Sequence, residues 1–527
     1  MIALERDFDS GVETGLEVTL DRPLPATVPV GLSTAVFCVG TCFYRDRRIA
    51  EMAIVVNGKR HRPTAQRMPR LDRFRELHPT LPPEEARSVD GDPVSPSDPE
   101  LRSYRSGFWA TVPIKPRERP GELEVCVEAR LADGTTASAP IATVEVVERP
   151  EPLPCESLPS AGEQPLIAIC MATYNPNMEL FRTQVDSIRD QTYRNWVCVI
   201  SDDCSEPESF DEIAEFIEGD DRFLLSRADS HLSFFRNFER ALQLAPADAE
   251  FMALCDQDDR WYPHKLEALR EGIGPAELAY SDLRRIDLSG RVRAETMWQG
   301  RRNNHTNLAS LLISNTIVGA SCLVRRRTVQ QALPFPSGPG WDFHDHWLVL
   351  VALSVGEVAY VDRPLYDQVQ HPGAVLGRVG AGDDSAPPGK RPGLRDRMEH
   401  RRGFLRRWRS AYFSMYLQRD FHARLLLERC GTGLTRRKRR ALRRVVAAAR
   451  SPLALAWLAC RPVRSLFGRN ETLGIESVLV RGILWRYLIT LRTMGRQRPG
   501  RSEEDASVPS PMPQKLVPRQ RRWLARR

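Results

Sequence analysis

Between Leu166 and Leu254 the chain repeats one unit: a short apolar run, a few polar residues, then a segment with helical spacing. Leu166-Ile-Ala-Ile-Cys-Met leads into Ala172-Thr-Tyr-Asn-Pro-Asn and then the period of Leu180, Val185 and Ile188. Trp196-Val-Cys-Val-Ile leads into Ser201-Asp-Asp-Cys-Ser and a helix over Phe210 to Ile217. Arg222-Phe-Leu-Leu, a helix from Ser233 to Leu244 and Phe251-Met-Ala-Leu complete the series. Runs this apolar read as buried strands, and their alternation with helices predicts a Rossmann-like α/β domain with a mostly parallel sheet. Ligands of such sheets gather at the carboxyl ends of the strands. The notable polar residues fall there: Thr173, Tyr174 and Asn175, then Asp202 and Asp203, then three more carboxylates.

Those three are Asp256, Asp258 and Asp259, in Asp256-Gln-Asp-Asp-Arg-Trp. Carboxylates packed this closely repel one another, and folding gathers them only against a counter-charge. A divalent cation supplies one, and hard oxygen ligands suit Mg²⁺ or Mn²⁺. Such ions keep coordination positions for the phosphates of a substrate. The competing reading is a solvated acidic turn capping the next helix. The convergence of polar residues at several strand ends favours the first.

A chain of 527 residues exceeds one core, and roughly two to four domains are expected. No window approaches the about 20 apolar residues of a membrane span. The start, Met1-Ile-Ala-Leu-Glu-Arg-Asp, lacks the basic-then-apolar layout of a signal peptide, so a cytoplasmic location is expected. The 11 cysteines are scattered, without a CxxC pair, and read as buried free thiols. The net charge of +8 hides an asymmetry. From Lys390 onward stand 35 basic and 9 acidic residues, leaving 41 and 59 before it.

Residues 1–150 read as an accessory all-β sandwich. Its short runs, at Ala35, Met52, Gly107 and Glu122, are punctuated by Asn57-Gly58 and Asp133-Gly134, with a Pro-rich excursion from Arg62 to Arg105. Residues 151–164 read as a linker, 165–378 as the α/β domain and 379–397 as a second linker. Residues 398–495 form a basic, amphipathic helical region, and 496–527 a disordered basic tail. Leucine and aromatic faces among arginines suit either an anionic membrane surface or a packed appendage.

In order and spacing, Ile169-Cys-Met-Ala-Thr-Tyr-Asn, Ser201-Asp-Asp-Cys-Ser and Asp256-Gln-Asp-Asp-Arg-Trp…Lys265 resemble family 2 glycosyltransferases of the GT-A fold, in particular their rhamnosyltransferase-like branch. The resemblance covers about Leu166 to Leu376. It implies that Thr173, Tyr174, Asn175, Asp202 and Asp203 contact the nucleotide of a dTDP- or UDP-linked sugar. Asp256 and Asp258 would meet its diphosphate, and Asp258 and Asp259 would hold the metal, with His371 completing it. Asp345, in Trp341-Asp-Phe-His-Asp-His-Trp, matches the catalytic base of an inverting transfer, where a carboxylate takes the acceptor hydroxyl proton. Trp261, Lys265, His344 and Trp347 match supporting or acceptor positions. Two departures stand out. No glycine occurs in Ala228-Asp-Ser-His-Leu-Ser-Phe-Phe, and no arginine precedes His371 in Val369-Gln-His.

The implied activity is metal-dependent transfer of a sugar, rhamnose foremost, to a cell-surface or polyprenyl-linked glycan at the inner face of the plasma membrane. A hexosyl- or galactofuranosyltransferase of the same family, and a non-catalytic glycan-binding scaffold on this fold, are the alternatives. A nucleotidyltransferase is disfavoured by the loop Ala172-Thr-Tyr-Asn-Pro-Asn, which lacks a glycine-rich phosphate cradle. The basic end alone implies no specific nucleic-acid recognition.

Overall fold

A computed structural model describes residues 15–79, 101–148, 164–340, 343–371 and 404–494. The expected linker at 379–397 and tail at 496–527 lie outside the described residues, as do 151–163 and 398–403. The chain divides into two compact units: residues 1–148 with 390–410 and 484–527, and residues 149–389 with 411–483.

The first unit holds β1 (Leu16–Leu20), β2 (Thr27–Pro29), β3 (Thr34–Tyr44), β4 (Ile49–Val56), β5 (Lys59–His61), β6 (Ala65–Met68), α1 (Leu71–Leu77), β7 (Gly107–Ile114), β8 (Gly121–Leu131) and β9 (Thr136–Val147). Two sheets form, ordered β1-β3-β7-β6 and β2-β9-β8-β4-β5. Period-two patterning decides which side chains go inside: Leu123, Val125, Val127, Ala129 and Leu131 of β8 are buried. They share one core with Val36 and Cys38 of β3 and Phe108 and Ala110 of β7. Asn57 and Gly58 both take positive φ, which the tight β4–β5 hairpin requires. β9 had no clear sequence signal. Its Pro140 falls where the β8–β9 register slips, a place where the missing N–H is tolerated.

The second unit is built on a nine-stranded sheet. Its strands are β10 (Ile167–Thr173), β11 (Trp196–Asp202), β12 (Phe223–Arg227), β13 (Phe251–Cys255), β14 (Arg260–Trp261), β15 (Leu278–Asp287), β16 (Val292–Ala294), β17 (Cys322–Arg325) and β18 (Val358–Gln370). The order is β12-β11-β10-β13-β17-β15-β18-β14, with β16 beside β15. The repeating stretch gives parallel β10–β13 as expected. Beyond it the sheet is mixed. β17 enters antiparallel between β13 and β15, and β14 and β16 also pair antiparallel. Strand–helix periodicity ends at β13, so nothing in the pattern marked that change of direction.

The helices of this unit are α2 (Met178–Arg189), α3 (Pro207–Ile217), α4 (Phe234–Gln243), α5 (Lys265–Ile273), α6 (Leu308–Ile313), α7 (Arg326–Ala332) and α8 (His344–Val355). α8 is buried nearly all round. The helices Leu417–Arg429 and Arg436–Ala447 belong to the same unit. Arg429 donates to the carbonyls of Ala332 and Pro334 at 2.7 Å, and Arg461 to the Ser310 hydroxyl at 2.7 Å. A further helix, Pro452–Cys460, was not expected from sequence; Ser451 caps it and proline opens it. Every cysteine among the described residues is free.

One buried carboxylate fastens the edge of the sheet. Asp367 of β18, fully buried, accepts from Tyr262 (2.6 Å), from Arg284 of β15 (2.7 Å) and from Arg260 of β14. The guanidiniums and the Tyr262 hydroxyl hold its pKa below the usual carboxylate value against the opposing effect of burial. Removing it strands two cations. Asp367→Ala is expected to cost about 2–3 kcal/mol in urea unfolding, and Arg260→Ala, whose side chain is half in water, under about 1 kcal/mol.

Candidate active site

The carboxyl ends of β10, β11 and β13 carry the residues singled out from sequence, and three of the connecting turns use left-handed backbone at non-glycine residues. Asn175 has φ 40°, Cys204 φ 61° and Ser233 φ 79°. Each such residue costs on the order of 1 kcal/mol and persists because its surroundings hold it. Asp203 holds the last. Its carboxylate accepts from the backbone N–H of Leu232 and of Ser233 (2.9 Å) and meets His231 Nδ1 at 3.0 Å. Ser233 thus takes the positive φ for which glycine is the usual choice.

Asp202 is fully buried. It accepts from the Ser205 hydroxyl (2.5 Å) and backbone N–H (2.9 Å) and from the Thr173 hydroxyl (3.2 Å). Thr173, also buried, has its carbonyl bound by Asn237 at 3.1 Å. Asn175 pins the turn from the other side, its N–H to Ser205 and its Oδ1 from the N–H of Glu206, both 2.8 Å. Thr173, Asn175, Asp202 and Asp203 therefore form one interlocked floor. Above it Tyr174 is 46% exposed, and its ring lies 4.6 Å from that of His231. A planar base or sugar can lie against such an open aromatic pair.

Gln257, which sequence reasoning passed over between the aspartates, accepts from the Tyr174 N–H at 2.8 Å and so joins this floor to the acidic turn. In that turn Asp258 meets His371 Nε2 at 2.7 Å. Asp256 has its pKa pushed up to about 7, by burial first and then by the charges of Asp258 and Asp345. Asp259 points inward, 3% exposed, with Oδ2 lacking a partner among the described residues and its pKa driven well up by burial. Asp258 and His371 thus meet, Asp256 is near enough to feel the charge of Asp258, and Asp259 is turned into the interior.

Lys265 is fully buried under the turn. Its ammonium donates to the Ala320 carbonyl at 2.5 Å and sits 3.6 Å from the Trp261 ring centroid and 4.3 Å from that of Tyr366. Burial lowers its pKa to about 7. Trp261 is buried too, and Trp347 is spent inside α8 on a 3.0 Å bond to the Ala332 carbonyl. The structure thus brings neither Lys265, Trp261 nor Trp347 to an open acceptor surface; their size and apolar bodies are used for packing.

Asp345 opens α8 and accepts from the backbone N–H groups of His346 and Gly319. Burial raises its pKa to about 7, the value at which a carboxylate can take up a proton near neutrality. His344 beside it is stacked on Phe238 at 3.7 Å, and burial lowers its pKa to about 3, so the imidazole is neutral. A side chain at Gly319 would meet His344 Nε2 at 2.6 Å, so this glycine is needed for close approach. His346 turns away, to the Leu311 carbonyl at 2.9 Å.

Residues 168–333 match the family described as Glycosyl transferase family 2. The matched stretch runs from β10 to α7 and covers less than half of the chain. Among similar proteins are the uncharacterized protein y4gI of Sinorhizobium fredii, 29% identical over 167 residues (31% of this chain, 18% of that one), and the putative teichuronic acid biosynthesis glycosyltransferase TuaG of Bacillus subtilis, 28% identical over 120 residues (22% and 46%). A third is the Escherichia coli UDP-Glc:alpha-D-GlcNAc-diphosphoundecaprenol beta-1,3-glucosyltransferase WfgD, 29% identical over 102 residues (19% and 38%). The chain spans less than half the length of the curated relatives it matches. S. aureus TarS in complex with UDP-GlcNAc superposes with a TM-score of 0.35 at 14% identity, over 60% of this chain and 90% of that one.

Asp258, Asp256 and His371 offer carboxylate oxygens and one imidazole, a donor set whose chemistry suits a hard divalent cation. Among the described residues no three His, Cys, Asp or Glu side chains are already gathered as a metal cage. An ion that shares its coordination with substrate phosphates needs only one or two carboxylates.

A carboxylate with a raised folded pKa stabilises the fold below its unfolded pKa and loses that contribution as pH rises through the folded value. For Asp345 the window runs from about 4 to about 7. Asp345→Asn, which keeps an acceptor without the charge, is therefore expected to match wild type at pH 4 and to exceed it above pH 7 by at least about 1 kcal/mol, as read by urea unfolding across pH. A pH-independent difference would show that the carboxylate does not titrate there.

Proposed function

We propose that this chain is an inverting, metal-dependent glycosyltransferase. It moves a sugar from a nucleoside-diphosphate donor to a hydroxyl of a cell-envelope glycan. The observation that carries this reading is the buried Asp345 at the head of α8, close enough to the acidic turn for its charge to act on Asp256. In an inverting displacement the base faces the anomeric carbon opposite the leaving diphosphate, and Asp345 would take the acceptor proton there. The floor of Asp202, Asp203, Thr173 and Asn175 would hold the nucleotide, with Tyr174 against its base or ribose. Mg²⁺ or Mn²⁺ at Asp258, Asp256 and His371 would neutralise charge on the departing diphosphate. Asp259, buried, would shape the turn from below.

The donor is expected to be dTDP- or UDP-linked, with rhamnose first and glucose, galactose and galactofuranose as the family alternatives. The test is release of nucleoside diphosphate from dTDP-rhamnose, UDP-glucose, UDP-galactose, UDP-galactofuranose and GDP-mannose, with Mn²⁺ and with chelator. Metal-dependent turnover of one donor, lowered at least about 10³-fold in Asp345→Asn while nucleotide binding persists, is the expected outcome. Turnover unchanged in that variant would remove Asp345 as the base. Nucleotide binding without turnover by wild type, with acceptor extracts present, would favour the scaffold.

The acceptor is expected to be lipid-linked, with the enzyme resting on an anionic membrane. No described helix is long and apolar enough to cross a membrane. Support comes from the turn Arg461–Phe467, whose Leu466 and Phe467 are 81% and 78% exposed, and from Leu453 at 85%, in a region with the arginine-rich helix Arg436–Ala447. Leu466→Ser/Phe467→Ser is expected to cut sedimentation with phosphatidylglycerol vesicles about tenfold or more without altering donor hydrolysis. Equal sedimentation would remove this turn as the membrane contact.

A further inference from the structure

The helix Arg436–Ala447 presents two cationic faces, and one of them closes a cleft that the donor reading leaves unused. This cleft, of about 700 Å³, is walled by the stretch 302–309, by Tyr360 at the start of β18, and by Arg437, Lys438, Arg464 and Arg469. Two of its cations are already neutralised: Lys438 pairs with Glu357 at 3.2 Å, and Arg464 with Glu471. Arg302, Arg437 and Arg469 are exposed and have no carboxylate partner among the described residues.

The interior adds unpaired polar groups. Asn303 Nδ2 and His305 Nδ1 are buried and meet no partner among the described residues, although Asn303 Oδ1 takes the Tyr280 hydroxyl at 2.5 Å. Burial lowers the His305 pKa, so that ring is neutral. Its face stands 5.9 Å from that of Tyr360. Unsatisfied donors beside an aromatic face, under a rim of free guanidiniums, describe a ligand rich in acceptors, negatively charged, and with an apolar ring face. A phosphate alone would use the rim and leave the aromatic wall idle. A sugar bearing a carboxylate or a phosphate uses both.

The floor of the cleft leads to the proposed base. Asn304 accepts from the Thr316 hydroxyl, and three residues later the N–H of Gly319 binds Asp345. Thr316 to Gly319 spans at most about 11 Å of chain. We propose that this cleft is the acceptor subsite and that it takes an anionic glycan, one whose sugars carry carboxylate or phosphate groups. The inference rests on the glycosyltransferase reading for the word acceptor; the binding it describes does not.

The test is isothermal titration of the full chain with three probes: an oligogalacturonate, an oligo(glycerol phosphate) of similar charge, and a neutral malto-oligosaccharide. Wild type is expected to bind one or both anionic probes and not the neutral one. Arg302→Ala/Arg437→Ala is expected to weaken that binding about tenfold or more. Arg440→Ala/Arg443→Ala removes the same charge from the groove on the helix's other side, lined by Arg436, Arg439, Arg440, Arg443 and Arg444, and is expected to change binding less than about threefold. The preferred anionic probe tells carboxylated from phosphorylated sugars. Equal losses in the two double variants would reduce the effect to bulk charge and overturn the proposal. So would binding of the neutral probe as tight as the anionic ones, or no binding of either anionic probe. The readings fail separately: Asp345→Asn is expected to keep full probe affinity, and a wild-type chain that bound the anionic probe yet released no nucleoside diphosphate would sink the transferase reading alone.

Discussion

The second unit is organised around an electrostatic conflict. Asp256, Asp258 and Asp259 lie within four positions, Asp345 comes to them from α8, and their surroundings exclude most water. Isolated charges in such a place would be neutralised or would unfold the turn. Protonation is one relief: burial pushes Asp345 and Asp256 up to about 7 and Asp259 well above the usual carboxylate value. Lys265 is the other. Its ammonium, held between the Trp261 and Tyr366 rings and the Ala320 carbonyl, lowers the cost of charge on Asp256 and Asp259 from beneath. A cation arriving from solvent at Asp258 and His371 would relieve the remainder from above. The site is therefore poised, and the same crowding that destabilises the free turn would favour a divalent ion there.

Rigidity elsewhere serves that poise. The Asp367 clamp ties β14, which follows the acidic turn, to β18, whose last residue precedes His371, so both partners of the 2.7 Å contact sit on segments held by one buried carboxylate. The floor at the ends of β10 and β11 is similarly over-determined. Thr173, Asn175, Asp202, Ser205 and Asn237 are tied to one another by hydrogen bonds, and the Asp203 carboxylate is taken up by Leu232, Ser233 and His231. Asp202 and Asp203 shape the floor through these bonds, and Tyr174 and His231 are the groups left facing outward.

What the sequence made legible follows physical range. Apolar runs with polar ends located β10, β11 and β13 and the residues at their tips, because strand burial is a local pattern. Asn57-Gly58 announced a hairpin for the same reason. The antiparallel insertion of β17 is a long-range pairing with no local trace, and β9 was hidden by Pro140 at a slip in register. Among candidate site residues, the family resemblance pointed to Asp345, Asp258 and His371, yet spacing alone could not distinguish Asp258, which meets His371, from Asp259, which the turn points into the core. Gln257 carried a usable signal, being a conformationally ordinary amide between two charges in a turn that must be pinned.

The missing glycine before α4 shows how a departure from pattern can be read. A positive φ is required at that turn whatever the residue, and Ser233 adopts it at 79°. The cost has to be met by neighbours, and Asp203 meets it by accepting two consecutive N–H groups while holding His231 against Tyr174. A glycine would make the turn cheaper and leave Asp203 freer. With serine, the loop, the carboxylate and the aromatic pair become one unit, so the face offered to a ligand is fixed before the ligand arrives. Charge on the helix Arg436–Ala447 follows a different logic: the acidic turn has its own cation buried beneath it, whereas Arg437 and Arg440 stand exposed with no carboxylate partner among the described residues, open to an anion from outside.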